Sequence, residues 1–309
     1  MGDIFNPNHY LDLNLLKEDL QDSFSINLNE LYLLRKKDFS NFQFLIMEDD
    51  NILFSEISNF NSIIFNQNIY LIRANSKNKN LSLNLNGNSS LIIEDVAIKN
   101  SPTELTITTE GNNNFYYFTN YQLENVFYNT ININVNGGLK ALFITKPQLK
   151  KHKNKITYHL KEGSELLHNS FTENTKGQLQ DDSIEVLHSK KSISKINYIS
   201  LNHGKVSTQV NSVIPAEADN CETHQLLSHL VLEPNAITNS KPNLVIKNKN
   251  VLASHGNNIG GFNPEHLFYL KQRGVDEDTS KKILAKSKYF NIIHGDPLLD
   301  NLISYYERV

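Results

Sequence analysis

Through the middle of the chain, apolar and polar residues alternate in short runs, and each run leads to a glycine. Leu81, Leu83 and Leu85 run into Gly87, and Leu105 and Ile107 run through Thr109 into Gly111. Ile131, Ile133 and Val135 lead to Gly137, and Ile156, Tyr158 and Leu160 lead to Gly163. The glycines lie 24, 26 and 26 residues apart. Period-two alternation puts every second side chain on one face, the pattern of a strand with one buried side. Evenly spaced strands closing on turn glycines suit either a meander of hairpins or the stacked rungs of a β-solenoid. Alternation alone does not choose between them, and a sandwich carries the same signature. The β-rich body is expected over residues 41–260.

The two ends differ from this body. Leu13–Leu20 and Asn29–Arg35 have mixed helical spacing, so residues 1–40 read as an N-terminal region with one or two short helices. Toward the other end, Leu244, Ile246 and Val251 suggest a strand, followed by a glycine-rich turn that holds Ser254-His255-Gly256 and Gly260-Gly261. A helix start is then explicit: Asn263 suits the N-cap, Pro264 the first helical position, and Glu265 the positive end of the helix dipole. Leu267, Phe268 and Leu270 give it an apolar face and Gly274 stops it. A second helix is expected after Asp276. A third follows Asp296 and Pro297, with Leu298, Leu299, Leu302, Ile303 and Tyr306 at helical spacing. Residues 261–309 therefore read as a small helical subdomain.

At 309 residues, with 39% hydrophobic and 20% charged positions, the chain can bury a large core. Its abundant asparagine, lysine and isoleucine and its lack of tryptophan read as genome base composition rather than function. A net charge of −3 argues against a general nucleic-acid or anionic-membrane surface. The local basic run Lys146–Lys155 suits a solvated strand end or loop. No apolar run of about 18 residues exists, the first residues form no basic-then-apolar leader, and Asn6 breaks the myristoylation pattern. The expectation is a soluble, cytoplasmic protein without membrane or nucleic-acid partners. With one cysteine, Cys221, there is no intramolecular disulfide framework and no Cys-rich zinc site. A stable iron–sulfur centre held by this chain alone is disfavoured for the same reason, since such clusters generally take about four thiolates. No P-loop pattern occurs, so nucleotide hydrolysis has to come from a partner.

Among the titratable residues His255 stands out. Its imidazole can ligate iron or hold a sulfur species at neutral pH, and the glycines around it let a partner approach. A lone histidine equally well satisfies a local hydrogen bond. Cys221 reads as a core thiol, cysteine being a frequently buried residue type. His152, His159, His168 and His188 show no metal spacing, and His224 and His229 fall on opposite faces of a strand. Glu217 and Asp219 would share a strand face, the minimum for paired-carboxylate chemistry. That is the basis for a reading as a β-helical carbohydrate-active enzyme; an ordinary acidic surface pair explains it as well.

The order strand, Ser254-His255-Gly256, turn and helix, with Phe268-Tyr269-Leu270 followed by Arg273-Gly274, resembles the end of the core in the SufB/SufD family of iron–sulfur cluster assembly proteins. The resemblance runs from about His224 to Val309 and takes in Leu230–Leu232 and Lys241-Pro242. A His followed by Gly is similar to the SufD-like branch. The SufB branch has His-Glu there, and its essential cysteine falls near Leu227 of this chain. Two features depart from the pattern: Ala253 stands where SufD-like members often carry cysteine, and the N-terminal region is abbreviated.

The resemblance implies a mainly β fold: a right-handed parallel β-helix with a short N-terminal region and a small C-terminal α-helical subdomain. It implies a SufD-like, non-catalytic component of the SUF scaffold, which pairs with SufB through the β-helix ends or forms a homodimer in isolation. The SufC ATPase would dock on the helical part through Phe268, Tyr269, Leu270 and Arg273. His255 would be the cluster-assembly residue at the SufB interface and the candidate metal ligand, serving a transient iron–sulfur cluster. A SufB-type scaffold is a further reading, against which His255-Gly256 and the lack of a cysteine near Leu227 both weigh.

Overall fold

The computed structural model describes residues 28–48, 51–56, 64–65, 67–74, 80–96, 103–121, 126–147 and 151–293. The helix expected at Leu13–Leu20 and the third C-terminal helix, after Asp296, lie outside them. Helix α1 (Leu28–Asp38) falls on the helical spacing around Asn29–Arg35 and precedes β1 (Gln43–Glu48), β2 (Asn51–Ser55), β3 (Ile64–Phe65) and β4 (Ile69–Ala74). Next come β5 (Asn80–Asn86), β6 (Ser90–Val96) and two long bent strands, β7 (Thr103–Tyr121) and β8 (Val126–Pro147). The body continues with β9 (Lys151–Leu160), β10 (Glu165–Asn174), β11 (Leu179–Leu187), β12 (Ile193–Asn202), β13 (Lys205–Ile214) and β14 (Cys221–Val231). It closes with β15 (Ile237–Ile246) and β16 (Val251–Gly260), and then helices α2 (Pro264–Gln272) and α3 (Glu277–Ile293) follow.

Apart from the antiparallel β1–β2 pair, every pairing among the described strands is parallel and joins one turn of a coil to the next. The chain is a β-solenoid of about seven turns. One wall stacks β5, the first half of β7, the first half of β8, β9, β11, β13 and β15. The other stacks β4, β6, the second halves of β7 and β8, β10, β12, β14 and β16. In-register stacking turns the alternation in the sequence into ladders. Leu81, Leu105, Ile131, Ile156, Ile184 and Val210 form one ladder, and Leu83, Ile107, Ile133, Tyr158 and Val186 the next. These inward residues are the lumenal core. A second cluster lies outside the other wall, where Phe44, Tyr70 and Phe118 are buried beneath α1 and where Ala285 of α3 also packs.

The four repeat glycines occupy one corner of the coil. Each has positive φ: 78° at Gly87, 84° at Gly111, 114° at Gly137 and 70° at Gly163. Neighbouring corners nearly touch, since a Cβ added at Gly111 would lie 2.8 Å from the carbonyl oxygen of Gly87. The column continues without glycine. Lys191 and Asn220 take the same left-handed conformation, with φ of 57° each, and donate backbone N–H to Asp219 and Asn250 of the following rung.

Buried charge and polar groups lie on both sides of the second wall, beneath α1 and in the lumen. Arg35 on α1 makes a two-pronged contact with Glu94, with Nη2 to Oε1 at 2.6 Å and both side chains buried, and Tyr70 Oη donates to the same carboxylate. Inside the coil, Arg73 pairs with Asp95, Tyr117 Oη donates to Asp95, and Asn129 Nδ2 donates to Tyr117 Oη at 2.9 Å. Asn129 also reaches Asn154, which donates to Asp182 at 2.9 Å, and Tyr198 donates to Asp182 at 2.5 Å. Buried polar groups on this scale are tolerated because they bond to one another along the stack.

Candidate functional site

The two walls finish at the C-terminal end on β15 and β16, each paired with a strand on one side only among the described residues. The open edge leaves inward-facing apolar side chains in solvent: Ile259 is 47% and Ile246 37% exposed, although their partners His229 and Ile214 in the preceding rung are buried. Pro242 lies in β15, where a proline is tolerated because an edge strand need not donate on both sides. Unpaired edges in a folded protein are templates for strand addition.

His255 lies in the middle of this last rung. It continues the ladder Phe115, Ala141, His168, Ile196 and Gln225, whose members are all buried and face the lumen. The register therefore puts the imidazole on the lumenal side of the last described coil, exposed because no further rung among the described residues covers it. It makes no hydrogen bond to another described residue. The glycine-rich turn expected around Ser254-His255-Gly256 is not there: β16 runs unbroken through Gly256 to Gly260, in register with β14. Gly256 serves a close packing contact instead, since a Cβ there would lie 3.1 Å from Leu226 Cδ1. The chain turns earlier, between β15 and β16, so the one strand expected through Ile246 and Val251 is two: Ile246 ends the first and Val251 starts the second.

Around His255 the structure separates the other candidates. Leu227 is fully buried one step along the lumenal face, with Asn257 beneath it. Cys221, 2% exposed, opens β14 and donates its thiol to the Ser189 carbonyl at 3.0 Å, a core thiol as expected. His224 and His229 do face opposite ways. His229 is buried between Ser200 and Ser240, whereas His224 is partly exposed between Glu222 (2.8 Å) and Ser254 (2.6 Å). Glu217 and Asp219 lie in the turn between β13 and β14 rather than on a strand, so they do not form the strand-face pair that a glycosidase reading required.

Burial sets the protonation of the remaining histidines. His168 is driven down to about 3, and His152, His188 and His229 to about 4, because the lumen penalises the imidazolium. They are neutral hydrogen-bonding elements: His168, for example, joins Tyr158 Oη (2.6 Å) to Ser170 Oγ (2.5 Å). Asp182 is pushed up to about 6, chiefly by burial. Sequence reasoning missed this lumenal network, and also Gln225 directly above His255; alternating Asn, Gln and Asp positions look like an outward face. Among the described residues no three His, Cys, Asp or Glu side chains converge on a point. A single exposed imidazole offers one ligand or hydrogen-bonding group at this rung.

The helices begin where expected. Asn263 Oδ1 accepts from the Glu265 N–H at 2.8 Å, and Gly274 ends the turn with φ of 82°. Asp276 caps α3, its Oδ1 accepting from the Thr279 N–H at 2.9 Å. Of the expected apolar face, Leu267 and Leu270 are half-buried, while Phe268 is 62% and Tyr269 54% exposed. Arg273 stacks its guanidinium 4.6 Å from the Tyr269 ring centroid. Phe268, Tyr269 and Arg273 are thus exposed, and Leu270 is half-buried next to them. No helix among the described residues is long and apolar enough to cross a membrane.

The described residues thus form a parallel β-solenoid whose last rung, β15 and β16, is paired on one side only among them, followed by two helices. Residues 57–288 match the family model described as "SUF system FeS cluster assembly, SufBD core domain". The chain belongs to this family, whose members act in iron–sulfur cluster assembly. It is 38% identical over 73 residues to the chloroplastic protein ABCI7 of Arabidopsis thaliana, a stretch covering 24% of this chain and 15% of that protein. To an iron–sulfur cluster assembly SufBD family protein of Mycobacterium leprae it is 33% identical over 82 residues, 26% of this chain and 21% of the relative. The figures for the corresponding Synechocystis protein are 33% over 86 residues, 28% and 19%. The aligned stretch thus spans about a fifth or less of these relatives.

Proposed function

We propose that this chain is the SufD-like, non-catalytic partner in a SUF scaffold. In this reading β15 and β16 abut the β-helix of a SufB-type protein, and His255 faces the junction where a cluster is assembled as cargo. The exposed Phe268, Tyr269 and Arg273, with Leu270 next to them, dock a SufC-type ATPase, and the division into residues 1–40, 41–260 and 261–309 separates the entry, the rigid body and the docking part. The work is cytoplasmic. The observation that carries the reading is the place of His255: a lumen-facing imidazole on the last described rung, beyond which no further described strand stacks. Family membership supplies the chemistry at stake. Gly256 in place of glutamate and the buried Leu227 favour the SufD-like role over a SufB-type one.

The test is His255→Ala, examined in the purified complex. An exposed side chain without hydrogen bonds contributes about 1 kcal/mol or less to stability, so the variant should fold and assemble normally but carry markedly less iron and sulfide. Cys221→Ser is the contrast, and should leave cluster content per folded complex intact. Normal loading of His255→Ala, or loss of loading in Cys221→Ser alone, would overturn the assignment.

A further inference from the structure

Gln225 lies directly above His255 on the same ladder and is 2% exposed. Its Nε2 donates to Ser212 Oγ at 2.8 Å and to the Asn243 carbonyl at 3.1 Å. A carbonyl can only accept, so the bond to Asn243 fixes which end of the amide is nitrogen. The other end, Oε1, is buried without a hydrogen-bond partner among the described residues. Buried acceptors left in that state are rare, because the water they lost is not replaced.

The lumenal neighbours of Gln225 narrow the choice of donor. Ile196 above it and Leu227 beside it have none. Thr223, on the other side, gives its hydroxyl proton to Ser212 Oγ at 2.8 Å. His255, one strand spacing below, has a ring N–H and no hydrogen-bond partner among the described residues. We propose that Gln225 is the positioning residue for His255. When the open rung is covered and water excluded, the imidazole donates one ring N–H to Gln225 Oε1. That fixes a single tautomer and leaves the other nitrogen, with its lone pair, facing across the junction. Histidines that ligate metals commonly have their second nitrogen tied to a carbonyl or carboxylate in this way. This inference rests on the junction reading of His255 given above.

The experiment uses the full chain with 15N-labelled histidine, alone and in complex with its SufB-type partner. Long-range 1H–15N spectra report ring tautomers, and His255→Ala identifies the His255 signals. In the wild-type complex one His255 tautomer should account for about nine-tenths or more of the signal. Gln225→Met, which keeps the shape and removes the acceptor, should give a mixture, and its complex should yield iron to a chelator about tenfold faster or more. Gln225→Glu, which restores an acceptor, should return the single tautomer. Mixed tautomers in the wild-type complex, or a single tautomer undisturbed in Gln225→Met, would overturn the inference. Should Gln225→Met not fold, the wild-type and Gln225→Glu spectra still decide it. If His255→Ala loses cluster while Gln225→Met leaves the tautomer unchanged, the junction reading stands and the role of Gln225 falls. If His255→Ala loads normally, the junction reading fails whatever the tautomer.

Discussion

Gly111→Ala tests the corner stacking that makes the chain a solenoid. The residue holds φ at 84°, where an L-residue costs about 1–2 kcal/mol. The new Cβ would also lie 2.8 Å from the carbonyl oxygen of Gly87 on the adjacent rung, too close for backbone atoms that cannot swing aside. Forcing two rungs apart is an overpacking effect of about 1–3 kcal/mol, for a total near 3 kcal/mol. Gly163→Ala is the control: φ is 70°, but a Cβ there meets nothing within 4 Å, so only the conformational part of about 1–2 kcal/mol remains. Because rungs couple mainly to their neighbours, the damage should be local. Native-state hydrogen exchange of amides in β7 and β8 is the assay, with urea unfolding followed by circular dichroism alongside. Gly111→Ala should weaken protection there by about 3 kcal/mol, a factor of about 100 or more. Equal effects from the two substitutions would show that neighbouring corners do not pack as described.

Three further outcomes are expected. Acidification should destabilise the fold: four buried histidines with values lowered to about 3–4 contribute stability above pH 6.5 that is lost as pH falls toward 4. Asp182, raised to about 6, acts in the opposite sense, adding stability below its ordinary 3.8 that is lost as pH rises through 6. Four protons against one leaves a net loss of at most about 4 kcal/mol per pH unit between pH 6 and 4; a urea midpoint that holds or rises from pH 7 to pH 5 contradicts this. Arg35→Met should cost about 3–5 kcal/mol by leaving Glu94 buried and unpaired, and adding Glu94→Leu should recover most of it; equal stability of the single and double variants in denaturant melts would refute the pairing. Phe268→Ala with Tyr269→Ala, both at exposed positions, should leave the melting temperature within a few degrees yet abolish capture of the ATPase in a pull-down; undiminished capture would remove the docking role.

The body of the fold was legible because stacking in register needs the same alternation at every turn. The ladders through Ile131 and Ile156, and the glycine column from Gly87 to Gly163, are that requirement written in residues. The repeat fades after Gly163 because Lys191 and Asn220 take over the left-handed corner, which no spacing of glycines can reveal. His255 could be singled out, but its setting was misread. Gly256, Gly260 and Gly261 look like a turn, and only pairing with β14 shows a strand. The last rung lacks the buried-exposed rhythm of the others because no further described rung lies beneath it. The polar lumen was hidden for a simpler reason: Asn154, Asp182 and Gln225 occupy inward positions where a two-letter pattern of apolar and polar residues expects an outward face.

The junction itself is the central claim, and hydrogen–deuterium exchange of this chain with and without a SufB-type partner reads it directly. Amides of β15 and β16 that lack a strand on their free side should exchange quickly in the isolated chain and slow strongly on complex formation, centred on residues 251–260. Protection elsewhere on the body, with exchange in β16 unchanged by a bound partner, would contradict the account.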